Sequence, residues 1–256
     1  MTDLPRLLAR AKAKGLKNAR TMAAKLSALD PAELVDEYFE MMAVAPRRGA
    51  DGYEYFIART GRPPQKVIET RREERLAMAL ANDKTTLTAG GETIKMLMYA
   101  FPLFTTGGTK GIRGVDVVGH SAETQRFWVV ELKIAAQAGK TGESPLRALY
   151  EALVYGAVVE ANTEHIAREL EDRGRKVDHR KPGLLIAAPT DYWERWLTNP
   201  GIDDWWTPYF ALTAALSEQL ATPIETIDLG PISYRIDLED RPRVQGHLDC
   251  QPTRYP

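Results

Sequence analysis

The sequence predicts an α/β fold with a helical extension at its N-terminus. Apolar residues recur at helical spacing through most of the first 45 residues. From residue 95 onward, short apolar runs rich in valine and aromatic side chains are typical of strands. After residue 65 the two patterns alternate in the order helix, three strands, helix, strand, which favours a mixed sheet flanked by helices.

The composition is that of an ordinary globular protein. Of the 256 residues, 44% are hydrophobic and 27% are charged, which argues against disorder. The formal net charge of -1 indicates no acidic partner, so any nucleic-acid surface must come from local clusters of lysine and arginine. Cys250 is the only cysteine, and we find no apolar secretory segment and no run long enough to span a membrane. We therefore expect a cytoplasmic protein without membrane association.

The extension is predicted to be helical and to end near Gly61. Residues 4–29 have apolar side chains at helical spacing, and Gly15 is a candidate break. Asp30-Pro31-Ala32-Glu33 then combines a capping residue, a proline suited to the first turn and a glutamate that completes a capping box. This helix should run to about Ala45. We place a boundary between an extension, 1–61, and a domain, 62–256, because Gly61-Arg62-Pro63-Pro64 is typical of a loop.

The first helical segment is basic. Residues 1–29 hold seven lysines and arginines and one acid, Asp3. One interpretation is a solvated helical face, and the other is a basic arm that contacts nucleic-acid phosphates. The N-terminal helices are also a candidate surface for a homodimer or for a protein partner.

The domain after residue 61 is predicted from apolar periodicity and from glycine, proline and asparagine at the ends of elements. The run at 183–188 is continuously apolar, as in buried strands, and the run at 232–238 alternates. In order we expect a helix, three strands, a long helix, a strand, two helices and a last strand, at 65–81, 95–104, 113–120, 126–133, 145–166, 183–188, 191–197, 208–220 and 232–238.

Glu131 and Lys133 close one of the predicted strands. They follow the apolar run at 127–130 and form the only Asp/Glu-x-Lys triplet in the chain. Residues two apart in a strand point to the same face, so the two charges share a face and Leu132 points into the core. Charges at the end of a buried strand are costly unless they are paired or bind a metal, which indicates a functional role.

Asp116 lies in the preceding strand, within another apolar run. If residues 122–125 form a four-residue hairpin loop, Ser121 pairs with Arg126 and the same register sets Asp116 opposite Glu131. Opposed residues have Cβ atoms about 5 Å apart. Two carboxylates at that distance repel one another, and a divalent cation with a preference for oxygen ligands removes the repulsion.

A third carboxylate precedes the sheet. Glu73 borders the apolar stripe of the helix predicted at 65–81 and is the first candidate to reach the site. Glu74 and Glu69 are the alternatives. A solvated charged helix face is the other interpretation of this segment.

Asp116, then Glu131-Leu132-Lys133 on the next strand, between a helical glutamate and a long helix, resembles the PD-(D/E)XK nuclease superfamily. This superfamily includes type II restriction enzymes, Holliday-junction resolvases and RecB-like exonucleases. The resemblance covers about residues 65–190 and implies a restriction-endonuclease-like core of α-β-β-β-α-β order. Val115 stands where the name motif has proline. Glu151-x-x-x-Tyr155 is similar to the Gln-x-x-x-Tyr signature of RecB-like members, with glutamate in place of glutamine.

The resemblance implies a metal-dependent nuclease that acts on DNA. Asp116, Glu131 and the backbone carbonyl of Leu132 would hold Mg²⁺ or Mn²⁺. Lys133 would orient the attacking water and stabilise developing charge. Glu73 would hold a second metal or a metal-bound water.

Further residues are assigned more loosely. Glu151 and Tyr155 are auxiliary candidates, with ordinary helix surface as the alternative. Lys110 and Arg113, in and after a glycine-rich loop, are candidate DNA contacts beside Asp116.

Three other interpretations stay open. The same fold with a weakened site would bind nucleic acid or a protein partner without cutting. Gly139-Lys140-Thr141 is similar to part of a phosphate-binding P-loop, although Ile134 stands where that motif needs glycine. Four tryptophans at 193, 196, 205 and 206 either stack on bases or pack in the core.

Overall fold

A mixed seven-stranded sheet flanked by helices forms the centre of the molecule, so the predicted α/β class is confirmed. This computed structural model describes residues 4–13, 19–57, 72–104, 112, 114–136, 142–178, 181–197, 204–231 and 251–252. The helices are α1 (Arg6–Lys12), α2 (Ala19–Ser27), α3 (Pro31–Ala43), α4 (Arg72–Asn82), α5 (Pro145–Glu160), α6 (Thr163–Glu171), α7 (Thr190–Leu197) and α8 (Trp206–Leu220). The strands are β1 (Thr86–Ala89), β2 (Glu92–Pro102), β3 (Gly114–Ser121), β4 (Arg126–Leu132), β5 (Gly183–Ala188), β6 (Ile224–Asp228) and the two-residue β7 (Gln251–Pro252).

The strands lie side by side in chain order. β1 to β4 form an antiparallel meander, whereas β5 is parallel to β4 and β6 is parallel to β5. β7 adds an antiparallel pair at the edge of β6. Parallel neighbours need a crossover connection, and helices α5 to α8 supply the two crossovers.

The β3–β4 hairpin has the register that loop length predicts. Ser121 pairs with Arg126 across the turn 122–125, and the pairing runs to Val117 and Val130. Gln125 takes the left-handed φ of 54° that closes the turn. The predicted pairing is therefore confirmed at these positions.

Helices cover both faces of the sheet, and each face has its own hydrophobic core. Val129 belongs to the core under α5, whereas Val130 belongs to the core under α4. Because side chains alternate along a strand, Glu131 and Lys133 lie on the α5 side and Leu132 on the α4 side.

The N-terminal helices share the core under α5. Leu7 and Leu8 of α1 are buried in the same cluster as Leu149 and Leu153. α1 packs on both α3 and α5. The predicted helical extension is thus folded against the helix that follows the site.

The basic residues of α1 are partly neutralised within the chain. Arg6 Nη2 lies 2.6 Å from Glu40 Oε1, and Arg10 Nε lies 2.8 Å from Glu37 Oε2. These contacts favour a packing role for this face of α1 over a free basic arm.

Several predicted boundaries shift. The segment predicted at 4–29 is two helices, and the predicted break at Gly15 lies outside the described residues. Asp30 caps α3 as predicted, with its side chain accepting from Ala32 N. The long helix ends at Glu160 rather than at 166, because Asn162 starts a new turn and its Nδ2 donates to Val158 O.

Three of the described strands escaped prediction, namely β1, β6 and the two-residue β7. β1 precedes the three predicted strands, so the order from α4 is a helix and four strands rather than a helix and three. β6 follows α8, whereas the strand predicted at 232–238 lies outside the described residues, as does the boundary at Gly61.

The four tryptophans of the C-terminal part are buried, with Trp193, Trp196, Trp205 and Trp206 packed in the core under α5. Trp205 Nε1 donates to Trp196 O at 3.0 Å. Base stacking is therefore the wrong interpretation of these side chains and core packing is the right one. In the described parts of the chain, no helix has the length and apolar character needed to cross a membrane.

Candidate active site

Two adjacent strand ends form the base of a buried charged cluster. The β3–β4 ladder ends at the pair of Val117 and Val130, one residue before Asp116 and Glu131, and Asp116 Oδ2 accepts a hydrogen bond from Leu132 N at 3.0 Å. This bond fixes the Asp116 carboxylate across the strand pair. Lys133 N donates to Ala187 O at 3.0 Å, so the pairing with β5 holds the backbone of the lysine as well.

Lys133 is the cation of this cluster and is only 2% exposed. Its Nζ lies 2.5 Å from Glu131 Oε1, 2.8 Å from Glu151 Oε2 and 3.0 Å from Glu143 Oε2. An unpaired ammonium at this depth would be strongly destabilising, so the three carboxylates are what allows its burial.

Helix α5 brings two of these acids to the strand ends. Ser144 caps the helix by accepting from Arg147 N at 3.2 Å, which places Glu143 just before the first turn. Arg147 then bridges the acids, with Nη2 2.9 Å from Glu143 Oε1 and Nε 3.1 Å from Glu151 Oε1. Glu143 and Arg147 are members of the cluster that were not predicted from the sequence. Their spacing of four residues with each other and with Glu151 is a pattern that could have indicated the helical ion pairs.

Glu73, at the start of α4, is the helical carboxyl group that joins the cluster. Its charge interacts with those of Lys133 and Asp116. Glu69 lies outside the described residues. Tyr155, one turn after Glu151, is also a neighbour, because the negative charges of Glu131, Asp116 and Glu151 add to burial in raising the pKa of its hydroxyl.

Burial dominates the protonation of the acids. It raises the pKa of Glu73 to about 8 and that of Asp116 to about 6, although Lys133 lowers the pKa of both. Burial and then Asp116 raise the pKa of Glu131 well above its ordinary value. Burial also opposes ionisation of Glu151, but Lys133 and hydrogen bonds outweigh it and lower its pKa. Burial lowers the pKa of Lys133, yet the surrounding carboxylates hold it well above the ordinary value.

The cluster has more acids than cations. Five carboxyl groups surround the two cations Lys133 and Arg147 (Glu73, Asp116, Glu131, Glu143 and Glu151). When all are ionised, an excess of negative charge stays buried, and it must be relieved by protons or by a further cation.

The donor set fits a hard divalent cation. Asp116, Glu131 and Glu73 offer carboxylate oxygens, which such ions prefer. Glu131 Oε2 is buried and accepts from no donor among the described residues. No three His, Cys, Asp or Glu side chains in the described ranges are already arranged as a metal-ligand set, and Lys133 Nζ contacts the other oxygen of Glu131.

Some predicted site residues lie outside the residues that the structure describes. Lys110 and Arg113 lie in segments that the structure does not describe, as does Gly139-Lys140-Thr141. The backbone carbonyl of Leu132 remains a predicted ligand. The structure thus brings together Asp116, Glu131 and Lys133 with the auxiliary candidates of α4 and α5.

Comparison with protein-family models, with curated proteins and with solved structures finds no match for this chain.

Proposed function

We propose that this chain is a nuclease of the PD-(D/E)XK type that hydrolyses phosphodiester bonds in DNA with Mg²⁺ or Mn²⁺. The observation that carries the proposal is the buried meeting of Asp116, Glu131 and Lys133 at the ends of two adjacent strands. A cluster of this kind destabilises a fold, and strongly perturbed acids of this sort concentrate at functional sites. The surrounding order of α4, the antiparallel strands, α5 and the parallel strand β5 supports the same assignment.

The roles of the side chains follow from their charges and positions. Asp116 and Glu131 would hold the metal ion, which supplies neutralisation of the phosphate and acidification of water when bound. Lys133 orients the attacking water and stabilises the negative charge that develops on the phosphate. Glu151 Oε2 lies 2.8 Å from Lys133 Nζ, so Glu151 would hold the ammonium in place while Glu131 binds the metal ion.

The direct test is a cleavage assay with matched variants. Single-stranded DNA, duplex DNA and RNA are each incubated with the protein and Mn²⁺, or with EDTA. We expect Mn²⁺-dependent cleavage of DNA that EDTA abolishes and that Asp116→Asn strongly reduces. Lys176→Ala is the control, because Lys176 forms an exposed ion pair with Asp178 at 2.7 Å, away from the cluster. No cleavage of any substrate by the folded protein would refute the proposal.

A second candidate is a module of the same fold that binds nucleic acid or a protein partner without cutting. The contact of Lys133 with Glu131, Glu143 and Glu151 favours it, because the ammonium already neutralises acids of the cluster. Such a module would bind labelled DNA and give no product in Mn²⁺. Lys133→Ala would then change the stability of the fold, and neither the wild type nor the variant would cleave DNA.

A further inference from the structure

Two exposed aromatic rings flank one buried cation at the end of β2. Arg48 Cζ lies 5.3 Å from the centroid of the Tyr53 ring and 6.0 Å from that of the Phe104 ring. Tyr53 is 40% exposed and Phe104 52% exposed, whereas Arg48 is 9% exposed. We call Arg48, Tyr53 and Phe104 the aromatic platform.

Hydrogen bonds hold the platform in place. Arg48 Nε donates to Glu54 O at 2.9 Å, and Nη1 donates to Phe104 O at 2.8 Å. Tyr53 N donates to Arg48 O at 3.1 Å. The guanidinium thus ties the turn after α3 to the end of β2. Rings that are held before a ligand arrives lose less conformational entropy on binding.

Core packing does not account for the two rings. The neighbouring Tyr55 and Phe101 stack at 5.5 Å and are fully buried in the core under α5. Tyr53 and Phe104 belong to neither core. A single exposed apolar side chain is common on protein surfaces, but here two rings share one cation.

The charge of the platform suits a nucleotide. Arg48 donates to backbone carbonyls, and in the part of the chain that the structure describes no carboxylate is paired with it. A nucleotide combines a flat base, which stacks on aromatic side chains, with an anionic phosphate. The platform offers both complementary features.

The platform lies near the end of β2 that is next to Asp116 of β3. Phe101 of β2 pairs with Val115 of β3, the residue before Asp116. Phe104 is three residues further along, a chain length of at most about 11 Å. The platform is therefore close enough to Asp116 for a single strand to span the two in a few nucleotides.

We propose that the aromatic platform binds an unpaired base of the substrate strand, so that the preferred substrate has a single-stranded segment beside the bond that is cut. This inference rests on the proposed nuclease function and adds the class of substrate. A base within a duplex is stacked on both sides and offers no free face to Phe104 or Tyr53. An unpaired base offers its face without the cost of unstacking.

The test measures binding without cleavage. A fluorescent oligothymidylate and a blunt duplex are titrated with the full chain in Ca²⁺, and binding is followed by anisotropy. We expect Phe104→Ala to weaken single-strand binding by about 10-fold, as loss of one base–aromatic stack does, and to change duplex binding little. Tyr53→Ala should act in the same direction and Tyr53→Phe should restore binding. Phe39→Ala is the matched control, because Phe39 is 41% exposed on α3.

The outcomes separate this inference from the proposed function. Unchanged single-strand affinity in both Phe104→Ala and Tyr53→Ala overturns the platform assignment, whether or not the wild type cuts DNA. An equal loss of single-strand affinity in Phe39→Ala overturns it as well. A wild type that binds duplex alone overturns the substrate class and leaves the nuclease proposal standing, whereas a wild type that binds no nucleic acid refutes both.

Discussion

Lys133 lies within 3.0 Å of three carboxylates, so its removal separates a catalytic role from a structural one. In the proposed nuclease its charge would matter more in the transition state than in DNA binding, because negative charge would develop on the phosphate as water attacks. We expect Lys133→Ala to lower single-turnover cleavage in Mn²⁺ by roughly 100-fold, as loss of one preorganised stabilising group does. Affinity for uncut DNA in Ca²⁺ should change little.

The same variant should also melt at a lower temperature without metal, because the acids around position 133 lose their cation. Near-normal cleavage by a folded Lys133→Ala protein, measured beside Lys176→Ala, would contradict the assignment of this site.

His120 should make the fold sensitive to mild acid. The ring is 4% exposed, and its Nε2 donates to Lys176 O at 2.8 Å. Burial lowers the pKa of His120 below its ordinary value, and Arg175 adds to this. The unfolded state therefore takes up a proton first, so stability is lost as the pH falls from about 6.5 through the lower pKa of the folded state.

Between about pH 7 and about pH 5, we expect the unfolding free energy of the wild type in urea to fall relative to that of His120→Gln, which cannot titrate there. The buried acids Glu73 and Asp116, with raised pKa values, are present in both proteins, so the difference isolates His120. Equal slopes for the two proteins would show that His120 does not contribute.

The strand residues of the site could be predicted from the sequence, because their positions depend on local structure. The nearness of Asp116 to the end of β4 depends on the length of one hairpin and on the two-residue period of strands, both of which are local. Glu143 and Arg147 depend on how α5 lies over the sheet, a long-range arrangement that no local pattern fixes. The platform of Arg48 and Phe104 is long-range in the same sense.

Helix α8 ends at a residue whose backbone suits glycine better than alanine. Ala221 has φ 50° and ψ 43°, and its N–H donates to Glu218 O and Ser217 O. A left-handed conformation costs a residue with a Cβ roughly 1 kcal/mol. Ala221→Gly should therefore stabilise the fold by up to about 1 kcal/mol in urea unfolding.

Ala214 is the matched control, since it is exposed in the interior of the same helix. Ala214→Gly should destabilise the fold by about 1 kcal/mol, the ordinary cost of glycine in a helix. The same sign for both variants would contradict the capping argument.

The elements that escaped prediction are short or lie beside stronger patterns. β1 has four residues and is joined to β2 by Gly90-Gly91, both with positive φ. Two glycines at such a turn are typical of a hairpin. β1 was not predicted, because its four residues include too few apolar side chains to give a strand pattern. The break at Asn162 is harder to predict, because the apolar periodicity of α5 continues into α6. The break depends on the Asn162 side chain, whose Nδ2 donates to Val158 O and Pro46 O.

The helices before residue 61 belong to the core of the whole molecule. Leu7 is fully buried in α1, whereas Leu4 is 43% exposed just before it. Leu7→Ala should cost about 2 to 5 kcal/mol of unfolding free energy, as such core truncations do. Leu4→Ala should change it by less than about 0.5 kcal/mol. If the two variants changed the unfolding free energy in urea equally, α1 would be loosely packed, and the interpretation as a free basic arm would be favoured.

Metal binding should stabilise the whole fold, because an ion that binds only the native state lowers its free energy. At a concentration of about 100 times Kd, the gain is about 2.7 kcal/mol. We expect Mn²⁺ or Mg²⁺ to raise the Tm of the wild type and to raise that of Asp116→Asn much less. Asp178→Asn, at the exposed ion pair with Lys176, should behave as the wild type does. A full shift in Asp116→Asn would place the ion elsewhere.

The packing of the N-terminal helices against α5 has a consequence for how the chain folds. Tyr38 Oη donates to Glu160 Oε2 at 2.9 Å across 122 residues of sequence. During synthesis the apolar faces of α1 to α3 leave the ribosome long before α5 exists to cover them. Exposed surfaces of this kind favour aggregation, and contacts so distant in sequence form slowly. α5 also carries Glu151 to the strand ends. The N-terminal core and the charged cluster can therefore form only after α5 has been synthesised.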